Sequence, residues 1–188
     1  MAGNVGATSA EVVLADVNGD GRNDYLVVND AGRVTAWLND RYGHPDPWDW
    51  KSLIASSSAP RDQVRFADLN GDGRDDYLAV GDQGQVRAWL NTGTGNGVAW
   101  TSQGVIASGV GYTRDRVELA EINGDRRADY LVLDAQGGVR AWFNNDAAGG
   151  PAPANPSPMP NDPTPTAPPG INGSGPNDGL PLCVANRC

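Results

Sequence analysis

The sequence predicts an all-β chain of short antiparallel strands, and three observations carry that expectation. Of the 23 acidic residues, only Glu11, Glu118 and Glu121 are Glu. Asp is a poor helix former and a good turn residue, and no Leu-Glu-Lys-Ala stretch offers a helix instead. Gly (25) and Pro (14) are frequent among the 188 residues, as many turns and at least one extended stretch require. Finally, one pattern occurs three times, at regular spacing.

The first copy runs from Val12 to Val28, the second from Val64 to Val80 and the third from Val117 to Leu133. Each is followed by a Gly-containing turn and a second shared string: Arg33-Val34-Thr35-Ala36-Trp37-Leu38-Asn39, Gln85-Val86-Arg87-Ala88-Trp89-Leu90-Asn91 and Val139-Arg140-Ala141-Trp142-Phe143-Asn144. Short strands repeating every ~40–50 residues are the mark of propeller blades. Strand one of each blade is Val12–Ala15 and its copies, and strand two is Tyr25–Val28 and its copies. Asp30-Ala31-Gly32, Asp82-Gln83-Gly84 and Ala135-Gln136-Gly137 make tight turns. Strand three alternates, with Val34, Ala36 and Leu38 on one face and Thr35 and Trp37 on the other. Strand four is read at Trp48–Ile54 and Val98–Ile106, and the third copy has no clear fourth strand. The fold expected is a partial β-propeller of three four-stranded blades, at about 8–58, 59–111 and 112–145, within a repeat region 1–145. Three blades do not close a ring. Either an open arc exposes its apolar faces, or further blades or self-association complete it. Self-association is the simplest completion.

Residues 146–182 differ in kind. Pro151, Pro153, Pro156, Pro158, Pro160, Pro163, Pro165, Pro168 and Pro169 lie among Ala, Asn, Ser and Thr. Such a stretch has no packable face and reads as a disordered linker. Residues 183–188 carry Cys183 and Cys188, which fit a small disulfide in an oxidising compartment. Two free thiols, or half-bridges to another domain, are the alternatives.

Charge excludes several functions. Fourteen Lys and Arg stand against 23 acids, a net charge of −9. Nucleic-acid binding through phosphates needs the opposite balance, as does a polybasic hold on anionic lipid. No run of about 18 apolar residues exists, so no membrane insertion is expected. Met1-Ala2-Gly3-Asn4 shows neither region of a signal peptide.

The chemistry lies in the loop between strands one and two. Asp16, Asn18, Asp20 and Asp24 occupy its positions 1, 3, 5 and 9, as do Asp68, Asn70, Asp72 and Asp76 in the second copy. Oxygen ligands at alternating positions with Gly between them let a short loop curl round a hard cation, and Ca²⁺ takes about six to eight oxygens. The backbone carbonyls of Arg22 and Arg74, at position 7, add one each. Bare, three carboxylates in nine residues repel by roughly 1 kcal/mol per pair or more near a surface. In the third copy, Glu121, Asn123, Asp125, Asp129 and the carbonyl of Arg127 take these places. There the longer Glu121, and Arg126 in place of Gly at position 6, weaken the expectation. An EF-hand is excluded, because position 12 is Val27 or Ala79 rather than Glu, and the flanks are β-branched and aromatic.

The string Phe66-Ala67-Asp68-Leu69-Asn70-Gly71-Asp72-Gly73-Arg74-Asp75-Asp76-Tyr77-Leu78 resembles an FG-GAP/VCBS repeat, the unit of integrin-α-type β-propellers. The likeness covers roughly residues 8–145. It implies four-stranded blades round an axis, with Ca²⁺ held between the first two strands. Such repeats serve in integrin heads, fungal lectins and accessory domains of secreted microbial hydrolases.

Trp37, Trp89 and Trp142 recur at one position and read as blade packing. Trp48, Trp50 and Trp100 lie in the variable fourth strand and its loop; they are better candidates for stacking on a sugar face, with ordinary edge packing the alternative that is favoured. His44 is the sole histidine. No nucleophile–base arrangement, phosphate loop or zinc spacing is present, so no catalytic residue is nominated and no enzyme is expected. The expected function is a secreted, extracellular, calcium-binding binding or scaffold module for a glycan or extracellular protein. The alternative is a non-catalytic repeat region of a secreted hydrolase whose catalytic domain lies elsewhere.

Overall fold

A computed structural model describes residues 6–39, 51–55 and 59–144, without the side chains of Lys51 and Ser52. The inferred linker, Cys183 and Cys188, Trp48, Trp50 and His44 lie outside the described residues.

The described chain is all-β. The first sheet orders β1 (Val12–Ala15), β2 (Asp24–Val28), β3 (Val34–Trp37) and β4 (Lys51–Ala55) side by side, every neighbouring pair antiparallel. The second repeats this with β5 (Val64–Ala67), β6 (Asp76–Val80), β7 (Val86–Asn91) and β8 (Trp100–Ala107). The third has β9 (Val117–Ala120), β10 (Asp129–Leu133) and β11 (Val139–Trp142). A single 3₁₀ turn precedes each first strand, at Ser9–Glu11, Arg61–Gln63 and Arg114–Arg116. This is a partial β-propeller, with three strands in its third blade among the described residues.

Alternation along the strands divides each blade into two faces. One face of the first blade, with Val17, Leu26, Val28, Val34, Ala36 and Leu38, packs on the opposite face of the second, with Val64 and Tyr77. The second blade repeats the arrangement with Leu69, Leu78, Val80, Val86 and Ala88 against Val117, Tyr130 and Val132 of the third. The core therefore sits in the seams between blades. Burying a Val or Leu side chain is worth about 1.5–3 kcal/mol, so the seams hold the blades in order.

The recurrent tryptophans lie across the sheet from tyrosines. Tyr25 pairs in register with Trp37, Tyr77 with Trp89 and Tyr130 with Trp142. The rings meet edge to face at 5.7, 5.4 and 5.8 Å, the arrangement that the ring quadrupoles favour.

Candidate functional site

Each acidic loop joins the first two strands of its blade and folds on its own side chains. In the first, Asp16 at position 1 accepts the N–H of Gly19 on Oδ1 and that of Gly21 on Oδ2, both at 2.7 Å. Asn18 Oδ1 accepts the Asp20 N–H, and Asp20 Oδ1 accepts the Arg22 N–H. The second loop repeats this ladder through Asp68, Asn70 and Asp72. The third follows with Glu121, Asn123 and Asp125, although Glu121 engages its loop through a single oxygen. At position 6, Gly21 and Gly73 have φ of 81° and 85°. Arg126 holds the same left-handed conformation at φ 73°, where its Cβ is strained.

Position 9 is a buried staple. Asp24, Asp76 and Asp129 are fully enclosed. Asp76 Oδ2 accepts the Leu69 N–H at 2.9 Å and Oδ1 the Asn91 N–H at 2.7 Å. Asp24 does the same with Val17 and Asn39, and Asp129 with Ile122 and Asn144. One carboxylate thus joins the start of the loop to the end of strand three.

Burial pushes Asp76 up to about 7; amide bonds from Asn91 and Leu69 pull the other way, and Asp68 and Asp72 push it further. Asp24 is raised to about 6, chiefly by burial, with Asp16 and Asp20 adding to it. Asp129 is raised for the same reason. Asp20 and Asp125 each pair with the arginine of their own loop, Arg22 at 2.6 Å and Arg127 at 3.3 Å. Their carboxylates are partly solvated, so the pairs are worth about 1 kcal/mol or less.

The donor set fits a hard cation: carboxylate at positions 1, 5 and 9, amide oxygen at 3, and the backbone carbonyl of 7. In placement, those side-chain oxygens face the amides and arginines of their own loops. Among the described residues, no three His, Cys, Asp or Glu side chains converge as a metal-holding group.

Sequence reasoning missed the residues that tie one loop to the next. Asp75, at position 8, accepts the Asp16 N–H of the preceding blade; burial raises it to about 6. The Asn91 side-chain amide donates to the Val17 carbonyl at 2.8 Å, and Asn144 donates likewise to Leu69 at 2.8 Å. The signal was present in the asparagine that closes every copy of the second shared string, but its partner lies on another blade. Arg61 and Arg114, by contrast, are legible as inter-blade ion pairs, since Arg-Asp recurs just before strand one in the second and third copies. Arg61 pairs with Glu11 and Asp30, and Arg114 with Asp62 and Asp82, all from the blade before.

Trp100 lies in the first seam. Its indole N–H donates to the Ile54 carbonyl at 2.6 Å and its ring meets Tyr77 at 5.9 Å.

Several solved structures resemble the chain, among them these two. One is an Agrocybe aegerita lectin that specifically recognises non-reducing terminal N-acetylglucosamine, with 23% identity and a TM-score of 0.49; the match covers 71% of this chain and 35% of that one. The other is TcdB2-TccC3 without its hypervariable C-terminal region, with 21% identity and a TM-score of 0.48, covering 69% of this chain and 6% of that one. The chain spans well under half of either. No curated protein matches it. The model of the FG-GAP-like repeat matches at residues 16–79 and 68–132, across all three acidic loops. The chain belongs to the FG-GAP-like repeat family.

Proposed function

We propose that the chain is a calcium-binding repeat module that serves as a non-catalytic binding or scaffold domain outside the cell. The observation behind this reading is the enclosed acid at position 9, set in a loop with two further acids. Burial and those like charges raise Asp24 to about 6 and Asp76 to about 7. Near neutral pH each of these loops gathers more negative charge than its one arginine offsets. A divalent cation answers that excess.

In the first loop the ion would be held by Asp16, Asn18, Asp20, Asp24 and the Arg22 carbonyl. In the second it would be held by Asp68, Asn70, Asp72, Asp76 and the Arg74 carbonyl. A carboxylate oxygen has two lone-pair sites, so it can keep its amide bond and still meet a cation. Competition with those amides places affinity at the weak end, about 10⁻⁴–10⁻³ M, as in extracellular modules. The third loop binds more weakly, because Arg126 and Arg127 supply positive charge of their own. When bound, the ion joins the first two strands of a blade from outside the hydrogen-bond ladder. The module's ligand would be a glycan or an extracellular protein.

Calorimetric titration of the full chain with calcium chloride tests this. Saturable heat is expected, reduced in Asp68→Asn/Asp72→Asn. Absence of heat at millimolar calcium contradicts the proposal.

A further inference from the structure

The two ends of the arc differ from its seams in a systematic way. Val17 and Leu69 are 0% and 7% exposed, while their counterpart Ile122 is 49% exposed. Val28 and Val80 are 1% and 0% exposed, against 38% for Leu133. Val34 and Val86 are both fully buried, against 54% for Val139. Around Leu131, which stays 6% exposed, the face that blades one and two bury beneath their successor is open on blade three at Ile122, Leu133 and Val139.

The glycines agree. A Cβ on Gly32 would collide with the Ala59 carbonyl, and one on Gly84 would meet the Tyr130 hydroxyl at 2.7 Å. At Gly137 nothing lies within 4 Å. Gly19 and Gly71 lie beneath Arg74 and Arg127 of the next blade, while Gly124 faces open space.

Blade one carries the opposite half. Tyr77 and Tyr130 are buried and donate to the Gly32 and Gly84 carbonyls of the preceding blade. Tyr25, their counterpart, is only half-buried. Asn91 and Asn144 are buried, whereas Asn39 is half-buried. Leu14, counterpart of the seam residues Phe66 and Leu119, is 58% exposed.

The charges at the two ends match as well. Within the arc, Arg61 and Arg114 pair with Asp30 and Asp82 of the blade before. Blade three has Ala135 where those aspartates stand, and blade one has Ser9 where the arginines stand. An arginine-bearing blade placed on blade three would keep only Asp115, the counterpart of Asp62, and would lose the acid that Ala135 replaces. Blade one, with Ser9, needs none.

We propose that the open face of blade three, around Ile122, Leu133 and Val139, docks the first blade of a second copy of this chain, head to tail. The joint continues the seam already present twice: Asn39 addresses the Ile122 carbonyl and Leu14 enters the apolar face. Such an interface is heterologous, giving a ring if the rotation closes and a filament if it does not. It is independent of calcium binding.

Sedimentation velocity of the full chain across a concentration series tests the proposal. Assemblies of two or more copies are expected, growing with concentration. Val139→Glu and Leu14→Glu should each sediment as folded monomers, since both side chains are exposed in the single chain and circular dichroism should be unchanged. Leu133→Lys serves as a second probe of the same face. Mixing Val139→Glu with Leu14→Glu should restore a one-to-one pair and nothing larger, because one intact joint remains. A monomer at every concentration overturns the proposal. So does assembly that appears only after residues 146–188 are removed, which would make the tail the occupant.

Discussion

Asp75 of the second repeat and Asp16 of the first exchange two hydrogen bonds. The Asp16 N–H donates to Asp75 Oδ2 at 2.8 Å, and the Asp75 N–H donates to the Asp16 carbonyl at 2.7 Å. The third repeat keeps only the backbone half, from the Ala128 N–H to the Asp68 carbonyl at 2.7 Å. Asp75→Ala leaves a partly buried N–H without its acceptor and should cost about 1–2 kcal/mol in urea unfolding. Asp75→Asn keeps an oxygen there and sheds a buried charge, so it should cost less than half as much. Equal losses would show that the contact acts through charge instead.

Tyr130 anchors the second seam. Its hydroxyl donates to the Gly84 carbonyl at 2.8 Å. Tyr130→Phe should lower stability by about 1–2 kcal/mol, because a buried carbonyl loses its donor. Tyr77→Phe should cost less, since its bond to Gly32 is 3.4 Å long. Thermal melts of the two variants give the order.

The same residue sets a pH dependence. Burial raises Tyr130 from 10.0 to about 12. The fold favours the neutral phenol, so this contribution is complete below pH 10 and is lost as pH rises toward 12. Absorbance titration at alkaline pH, compared with Tyr130→Phe, should find Tyr130 ionising toward pH 12 together with unfolding. Uniform ionisation of all five tyrosines before any unfolding would contradict it.

Arg126 occupies a left-handed position that glycine fills in the other two loops, with φ 73°. Strain of this kind costs about 1–3 kcal/mol, and glycine's greater freedom when unfolded returns about 0.5–1 kcal/mol of that. Arg126→Gly should therefore stabilise the chain by roughly 1 kcal/mol and tighten calcium binding at the third loop. A drop in melting temperature would show that the arginine side chain holds the loop by contacts of its own.

Much of the fold is legible in the sequence because its repeats are nearly verbatim. Strands one and two of every blade, the loop between them and the Gly turn that follows recur at matching positions, and the three sheets follow that pattern. The fourth strand is less legible. Trp48–Ile54 and Val98–Ile106 are the spans expected from the sequence; among the described residues β4 is Lys51–Ala55 and β8 is Trp100–Ala107. It is an edge strand of variable composition, and its register shifts opposite Val34/Thr35, Val86/Arg87 and Ala88/Trp89. The hydrogen-bonded form of the loops is legible too, because Asp, Asn and Gly recur there at fixed spacing. The bonds from Asp75 to Asp16 and from Asn91 to Val17 are not, since they depend on how one sheet lies against the next. Trp100 follows the edge packing expected of the variable strand, with its ring and N–H engaged in the seam.

The most direct test of the account is a pair of thermal melts of the full chain, one in millimolar calcium and one in excess chelator. A ligand that binds only the native state stabilises it by mass action, about 0.4–1.4 kcal/mol per site in 1 mM calcium for the affinity proposed. The account predicts a melt several degrees higher in calcium, a difference that shrinks in Asp68→Asn/Asp72→Asn. Superimposable melts with and without calcium would contradict it.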